Sequence, residues 1–592
     1  VDFPLQSEQF ILLEFNSMNT EKQSRKAISR RHFTKTITAT AAVVGLPITF
    51  LDAEPPKPAN IKQLFPDGLR PLFEQQGSLI RQRKQDWLKK AAKATPPLFH
   101  ISRAPINLVK VEKAADAFQG WKTVPAGSVD LILNRPMVPG DSFILDFGEH
   151  FTGYFGFSMR RFENPVDAPV RLAFVFGEVP TDVAEPFEPY HGGLARSWLQ
   201  DETESYDIVP SAVRLPRRYA FRYVKITVVS ASSHCKFGFT AFQAESVTSA
   251  NEKNIAPLPD SQASDKALDA VSLRTLRDCM QTVFEDGPKR DRRLWLGDLR
   301  LQAMANYVSF KNYDLVKRCL YILSGTASET GLVSTDAFEF PEPVRGGDTI
   351  LDYTALFAPT LLEYLEASKD VHTAEDLWPL ALKQLDLTLE HVNSEGLFVP
   401  PNNWWTFIDW HPTLDKQASE QAILICSLRA TLSLAEKLDK ASEVTFIPKM
   451  ISLMEDAARK NLWDSTLHMF VSGPNHQISW ASQAWMVLAK VPTLEQSQAA
   501  LLGVMKDPRA EKPVTPYMHH YMVAALWEAG LHEQAFEHVR SYWGGMVAKG
   551  ADTFWEVYVP GNDRLSPYDN HLINSYCHAW SCTPVCFLRG KK

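Results

Sequence analysis

The 592-residue chain has no apolar run in its body long enough to cross a bilayer, which excludes a polytopic membrane protein. It lacks a strong charge of either sign: 62 basic and 69 acidic residues leave a formal charge of −7. Neither nucleic acid nor an anionic membrane surface is expected as a partner. It also lacks a disulfide framework. The seven cysteines are odd in number, and Cys235, Cys279, Cys319 and Cys426 are scattered. Cys577, Cys582 and Cys586 form a tighter group, with His578 beside the first, but the spacing is poor for a metal site. Buried free thiols are the expectation. No fixed-period repeat is present, which argues against a helical solenoid.

The length calls for two to four domains. With 45% hydrophobic and 22% charged residues, the composition is that of a soluble globular protein. Aromatic content is 11%, including 15 Trp and 16 Tyr. Aromatic faces cover the apolar C–H faces of sugars, so a carbohydrate binder fits. Near the N-terminus, Ser29-Arg30-Arg31-His32-Phe33-Thr34-Lys35 precedes an uncharged stretch from Thr36 to Leu51 and then Asp52-Ala53-Glu54-Pro55-Pro56. This is the pattern of a signal peptide, and it resembles the twin-arginine export consensus. Periplasmic or secreted localisation follows as an expectation. No cysteine follows the apolar stretch, so no lipid anchor is expected, and Met18 is an alternative start.

Two textures follow the leader (residues 1–55). Leu79 to Lys93 can form an amphipathic helix. From about 100 to 250, runs such as Ser142 to Phe147, Val170 to Phe176, Tyr223 to Val229 and Phe237 to Phe242 are rich in β-branched and aromatic residues, punctuated by Gly, Pro and Asp. They indicate an antiparallel β-sandwich in the region 56–250. After a polar linker near 249–265 the period becomes helical. About twelve segments carry it, near 264–284, 296–310, 313–323, 350–368, 372–394, 417–438, 445–462, 476–490, 494–506, 516–530, 531–549 and 571–589. Twelve helices in antiparallel pairs can close into an (α/α)6 toroid, assigned to residues 251–592.

Three inter-helix segments concentrate carboxylates and tryptophans: Glu285 to Asp298, Asn402 to Trp410, and Gly550 to Glu556. In a toroid such loops gather at the ends and line one pocket. Glycoside hydrolysis needs two carboxyls, one to protonate the leaving oxygen and one to activate water or attack. Asp286, Asp291 and Asp298 give one another the like-charge company that keeps an acid protonated, while the neighbouring arginines oppose it. Each segment also has a plainer reading: a turn or cap at Asp286, surface ion pairs at Arg290, Asp291 and Arg293, and core packing at Trp404 and Trp405.

The run Asp286-Gly287-Pro288-Lys289-Arg290-Asp291-Arg292-Arg293-Leu294-Trp295-Leu296-Gly297-Asp298 resembles the acid loop of bacterial α-L-rhamnosidases, glycoside hydrolase family 78. The segment from Thr515-Pro516-Tyr517 through Tyr542-Trp543-Gly544-Gly545-Met546 to Thr553-Phe554-Trp555-Glu556 resembles the family's base-bearing region. Ser575-Tyr576-Cys577-His578 resembles its histidine segment, and Asp146-Phe147-Gly148-Glu149 with Gly153-Tyr154 its β-sandwich. The likeness covers roughly residues 130–590, with the motifs in the family's order. It departs at Arg292, where many members carry Glu, and the loop is one residue shorter before Gly297-Asp298. A shorter family variant places the acid directly after the Arg, which here selects Asp291 over Asp286.

The resemblance implies β-sandwich modules with an (α/α)6 catalytic barrel, an inverting mechanism, and a compact member without the C-terminal β-domain of larger ones. It implies Asp291 as general acid and Glu556 as general base. Asp286, Arg290 and Asp298 would bind sugar hydroxyls, Trp295, Trp404, Trp405, Asp409, Trp410 and Trp555 would line the pocket, and His578 would bond a hydroxyl or Glu556. No metal and no organic cofactor is required, and the partner is a rhamnose-containing oligosaccharide or polysaccharide. Lys289 and Arg345 would suit an acidic aglycone. Two rival readings remain: a polysaccharide lyase using Tyr517, His519 or His520, and a non-catalytic sugar-binding protein.

Overall fold

The computed structural model describes residues 60–66, 68–162, 167–258, 261–401 and 404–590; the export motif lies outside them. The first long element is the helix Leu69–Lys93, ten residues longer at its start than the pattern indicates. It straps the outside of the helical region, against Tyr313–Gly325 and Val371–Thr388. Trp87 is buried there and its indole N–H donates to Asp376 at 3.1 Å, while the Lys90 ammonium meets the same carboxylate at 2.7 Å.

The β region is built around one 20-residue strand, Ser142–Arg161. Its first part pairs with Asn107–Lys113 and with Tyr219–Ser230. Its last part pairs with Phe237–Thr248 and with Ser211–Arg214. Between them, at Asp146 to Phe151, the register breaks. Such an irregularity lets one strand serve both halves of a sandwich. Strands Val170–Gly177 and Asp201–Tyr206 extend the sheet beyond Tyr219–Ser230. Phenylalanines fill the interior: Phe155, Phe157, Phe174 and Phe239 are all buried, and Phe176 stacks on Tyr219 at 3.7 Å. Gly153 is required by close strand approach, since a Cβ there would lie 2.1 Å from the Glu245 carbonyl oxygen.

The helical region consists of six hairpins among the described residues. Outer helices Ala263–Cys279, Tyr313–Gly325, Val371–Thr388, Ile447–Asn461, Leu494–Lys506 and His532–Ala548 each lead to an inner one. The inner ring runs Leu296–Tyr307, Phe357–Ser368, Gln417–Lys437, Trp480–Leu488, Pro516–Glu528 and the C-terminal segment, each packed on the next. This is an (α/α)6 barrel. Every candidate site residue lies in a connection that leads into an inner helix, or in that helix's first turn.

The last expected helix, 571–589, is a correction. It is mostly unwound, with only the turns His571–Ile573 and Ala579–Ser581 before the short helix Pro584–Gly590. The reason is that its backbone is spent on side chains. Ile573 O accepts from Arg290, Leu572 O and Asn574 O accept from Lys289, and Ser575 N donates to Glu556. The segment 350–368 is likewise split at Leu356, and the first barrel helix stops at Cys279 rather than 284.

Candidate active site

Arg290 is the centre of the site. Its side chain is 1% exposed. Its Nε donates to Ile573 O at 2.8 Å, one terminal nitrogen bonds the Glu556 carboxylate, and the other lies 3.6 Å from Asp291. The guanidinium also lies over the Tyr568 ring, 4.5 Å from its centre. One cation therefore spans two carboxylates contributed by loops 265 residues apart in sequence.

The two carboxylates differ in setting. Glu556 is fully buried and accepts further bonds from the Tyr568 hydroxyl at 2.6 Å and from Ser575 N at 3.2 Å. Burial acts to raise its pKa, but Arg290 and the Tyr568 hydrogen bond outweigh it and hold the group below its usual value. Asp291 sits at the loop's tip with its side chain 13% exposed. Asp291 and Arg292 both have left-handed backbones, φ 56° and 53°, which cost energy in non-glycine residues. Arg292 anchors this turn by donating to Pro288 O at 2.9 Å and to Arg218 O of the sandwich at 2.6 Å. A Glu could not make either bond, which accounts for the departure at this position.

Two more carboxyls lie behind this pair. Burial, reinforced by Asp291 and Asp298, pushes Asp286 well above the ordinary range. Its Oδ1 accepts from Arg293 N at 3.1 Å, so it also shapes the loop. Asp298, in the first turn of Leu296–Tyr307, accepts from the Tyr353 hydroxyl at 3.3 Å. The approach depends on Gly297, where a Cβ would stand 2.2 Å from the Tyr353 ring. Asp298 Oδ1 and His578 Nδ1 are buried, lack hydrogen-bond partners, and lie 3.9 Å apart. They are a donor and acceptor left over for a polar ligand. Burial drives the His578 pKa down to about 3, so the ring is neutral.

Residues 105–246 match the glycosyl hydrolase family 78 α-rhamnosidase N-terminal domain, and residues 260–590 the bacterial α-L-rhamnosidase six-hairpin glycosidase domain. A rhamnosidase from Klebsiella oxytoca, solved with rhamnose bound, is 41% identical over 85% of this chain and 98% of its own, with a TM-score of 0.83. The chain belongs to glycoside hydrolase family 78. It is an α-L-rhamnosidase, a glycosidase that removes rhamnose. The family 78 rhamnosidase of Bacillus sp. GL1 shares the fold at 22% identity and a TM-score of 0.66, over 79% of this chain and 49% of that one. The Streptomyces avermitilis α-L-rhamnosidase, complexed with L-rhamnose, does so at 15% identity and 0.60, over 83% and 44%. No match was found among curated proteins.

In this rhamnosidase the sandwich is part of the site's scaffold. Lys289 is buried, and its ammonium donates to Asp182 of the sandwich at 3.2 Å as well as to Leu572 O and Asn574 O at 3.0 and 3.1 Å. Glu178 accepts from Tyr576 N at 2.7 Å. Phe118 stacks on Trp555 at 3.8 Å. His150, Asp278 and Cys577 have potential ligand atoms within 4.8 Å of one another, the one such group among the described residues. His150 bonds Asp278 at 2.7 Å, and Arg277 already pairs with Asp278 at 2.8 Å. The cluster ties sandwich to barrel.

The structure redistributes several expected pocket residues. Trp555 is buried against Phe118, Tyr558 and Tyr576, so it serves the sandwich contact. Asp409 spends its carboxylate on Val514 N at 2.8 Å and Thr515 N at 3.1 Å, fixing the entry to Pro516–Glu528. Trp404 packs edge-on against His391 at 5.1 Å. Trp410 does reach the centre, 5.7 Å from Tyr568, and Trp295 lies partly exposed beneath Arg293 at 5.7 Å. Lys289 is committed to Asp182 and two carbonyls, and Arg345 donates to Leu332 O and Val333 O, so neither serves an acidic aglycone. Tyr568 and Tyr353 carry no motif in the sequence: a lone tyrosine twelve residues after Glu556 has no spacing signal.

Asp298 gives a test of this electrostatic picture. Burial, with smaller contributions from Glu556 and Asp291 and against the Tyr353 hydrogen bond, raises its pKa to about 8. A carboxyl whose folded pKa exceeds its unfolded value contributes fully to stability below about pH 4 and progressively less as pH rises toward 8. Asp298→Asn stays neutral throughout. Its stability relative to wild type, from denaturant unfolding, should therefore improve between pH 4 and 8, on the order of 1 kcal/mol per unit. A difference independent of pH would show that Asp298 is ionised in the fold.

Proposed function

We propose that the enzyme removes terminal α-L-rhamnosyl residues from glycans or glycosides with inversion, Asp291 acting as general acid and Glu556 as general base. The observation that carries this reading is the shared guanidinium: Arg290 contacts both carboxylates, but only Glu556 is buried beneath it with three donors. A group held as carboxylate suits water activation. Asp291, at the partly exposed tip, is on the side from which a leaving group departs. Rhamnose lies between them in this reading. Its hydroxyls take the unpartnered Asp298 and His578 atoms, and Trp295 and Trp410 face its C–H and methyl surfaces. Rhamnose in the Klebsiella and Streptomyces relatives supports the substrate class. Inversion requires the carboxyls to stand roughly 6.5–9.5 Å apart, leaving room for a water. The lyase reading loses its base: Tyr517 is buried among aromatic rings, His519 is paired with His538 at 2.8 Å, and His520 is buried against Tyr521 and Phe587.

Asp291→Asn and Glu556→Gln should each cost about 10²–10⁴-fold in kcat with folding intact. Asp291→Asn should lose least on substrates with good leaving groups, which need little protonation; Glu556→Gln should lose similarly on all. Proton NMR during early turnover should show β-L-rhamnose first. Initial α-L-rhamnose would assign a retaining mechanism instead.

Residues 1–55 are proposed as an export leader, 56–250 as the sandwich-bearing region and 251–592 as the catalytic domain. Replacing Arg30 and Arg31 by Lys should leave the protein in the cytoplasm, as read by fractionation; undiminished periplasmic yield would exclude the twin-arginine route.

A further inference from the structure

Of the fifteen tryptophans, Trp405 is the most exposed, at 39%. Exposed apolar surface costs about 25 cal/mol per Å² relative to burial, so a large exposed indole invites a functional account. This one is held firmly. Trp405 N donates to Thr349 O at 3.1 Å, and its carbonyl accepts from Leu351 N at 2.8 Å. The ring is thus carried by a backbone pinned to the start of Leu351–Ala355, and it rests on Phe407 at 5.7 Å and Trp410 at 5.6 Å. Trp410 in turn stands edge-on to Tyr568, whose hydroxyl bonds Glu556.

Aromatic side chains therefore step outward from the buried carboxylate to the surface: Tyr568, Trp410, Trp405. A terminal sugar seated over Glu556 fills the inner end, and what it is attached to must leave toward the open end. Charge is not what recognises that group here. Lys416, the cation on the same loop, donates to Thr406 O at 2.6 Å, and Lys289 and Arg345 are engaged as described.

We propose that Trp405 is the platform of a leaving-group subsite, stacking an uncharged aglycone through a flat apolar face. The face is the C–H side of a neighbouring sugar ring or the plane of an aromatic ring; both present the same surface to an indole. The subsite rests on the placement of rhamnose over Glu556 proposed above. A preformed, rigid ring binds without paying to order itself, so the gain appears in KM.

The test compares wild type, Trp405→Ala and Trp405→Phe on three substrates: methyl α-L-rhamnoside, p-nitrophenyl α-L-rhamnoside and an α-L-rhamnosyl glucoside. Trp405→Ala should lower kcat/KM on the ring-bearing substrates about tenfold more than on the methyl glycoside, mainly through KM, and Trp405→Phe should recover most of it. A tenfold difference corresponds to about 1.4 kcal/mol. An excess loss on the p-nitrophenyl substrate alone identifies an aromatic aglycone, and on the glucoside alone a sugar. Equal losses on all three, or none on any, would overturn the subsite. The ratio between substrates is read within one variant, so it does not depend on which carboxyl is the acid. Retained activity in Asp291→Asn would disprove that assignment separately.

Discussion

A single buried arginine organises this active site. Three buried carboxyls, from Asp286, Asp298 and Glu556, lie close together in this site, and they cannot all be ionised there. Arg290 settles which one carries charge. Its direct bond stabilises Glu556 as carboxylate, whereas Asp286 and Asp298, without such a contact, are driven toward the protonated form. The direct guanidinium bond thus distinguishes Glu556 from the equally buried Asp286 and Asp298. Burying that cation costs several kcal/mol unless its other donors are satisfied. The Ile573 carbonyl satisfies one, and the Tyr568 ring covers a face.

That requirement propagates outward. The sixth inner helix gives up most of its length so that its carbonyls can reach Arg290 and Lys289. An unwound segment needs support, and the sandwich supplies it through Asp182 to Lys289, Glu178 to Tyr576 N and Phe118 to Trp555. Arg218 extends the same support by offering its carbonyl to Arg292, which holds the two-residue left-handed turn presenting Asp291. The sandwich is thus a component of the catalytic centre, although none of its residues belongs to the acid–base pair.

Much of this architecture was legible in the sequence, for identifiable reasons. Periodicity located the first eleven helical segments because each buries one face, and β-branched and aromatic runs located the long strands. The Asp286 to Asp298 loop was legible because its residue order is specific. Helix 571–589 was misread because apolar spacing records burial, which persists there, and not backbone hydrogen bonding, which does not. Trp555 and Asp409 were misread as pocket residues for a related reason: adjacency to Glu556 and Trp410 says nothing of which way a loop side chain turns. Tyr353 and Tyr568 escaped notice because their roles depend on distant partners, Asp298 and Glu556, brought near only by the barrel.

The central role given to Arg290 is tested most directly by the pH dependence of kcat/KM in Arg290→Gln. With Glu556 as the proposed base, the acidic limb reports its protonation, and activity falls as pH drops through its pKa. Removing a cation in direct contact should raise that pKa, and the limb should move to higher pH by about 1–3 units. The measurement requires a variant whose unfolding transition remains cooperative, so that the shift belongs to the native site. An acidic limb at its wild-type position in a folded Arg290→Gln protein would contradict the account, because Glu556 would then be held as carboxylate by something other than Arg290.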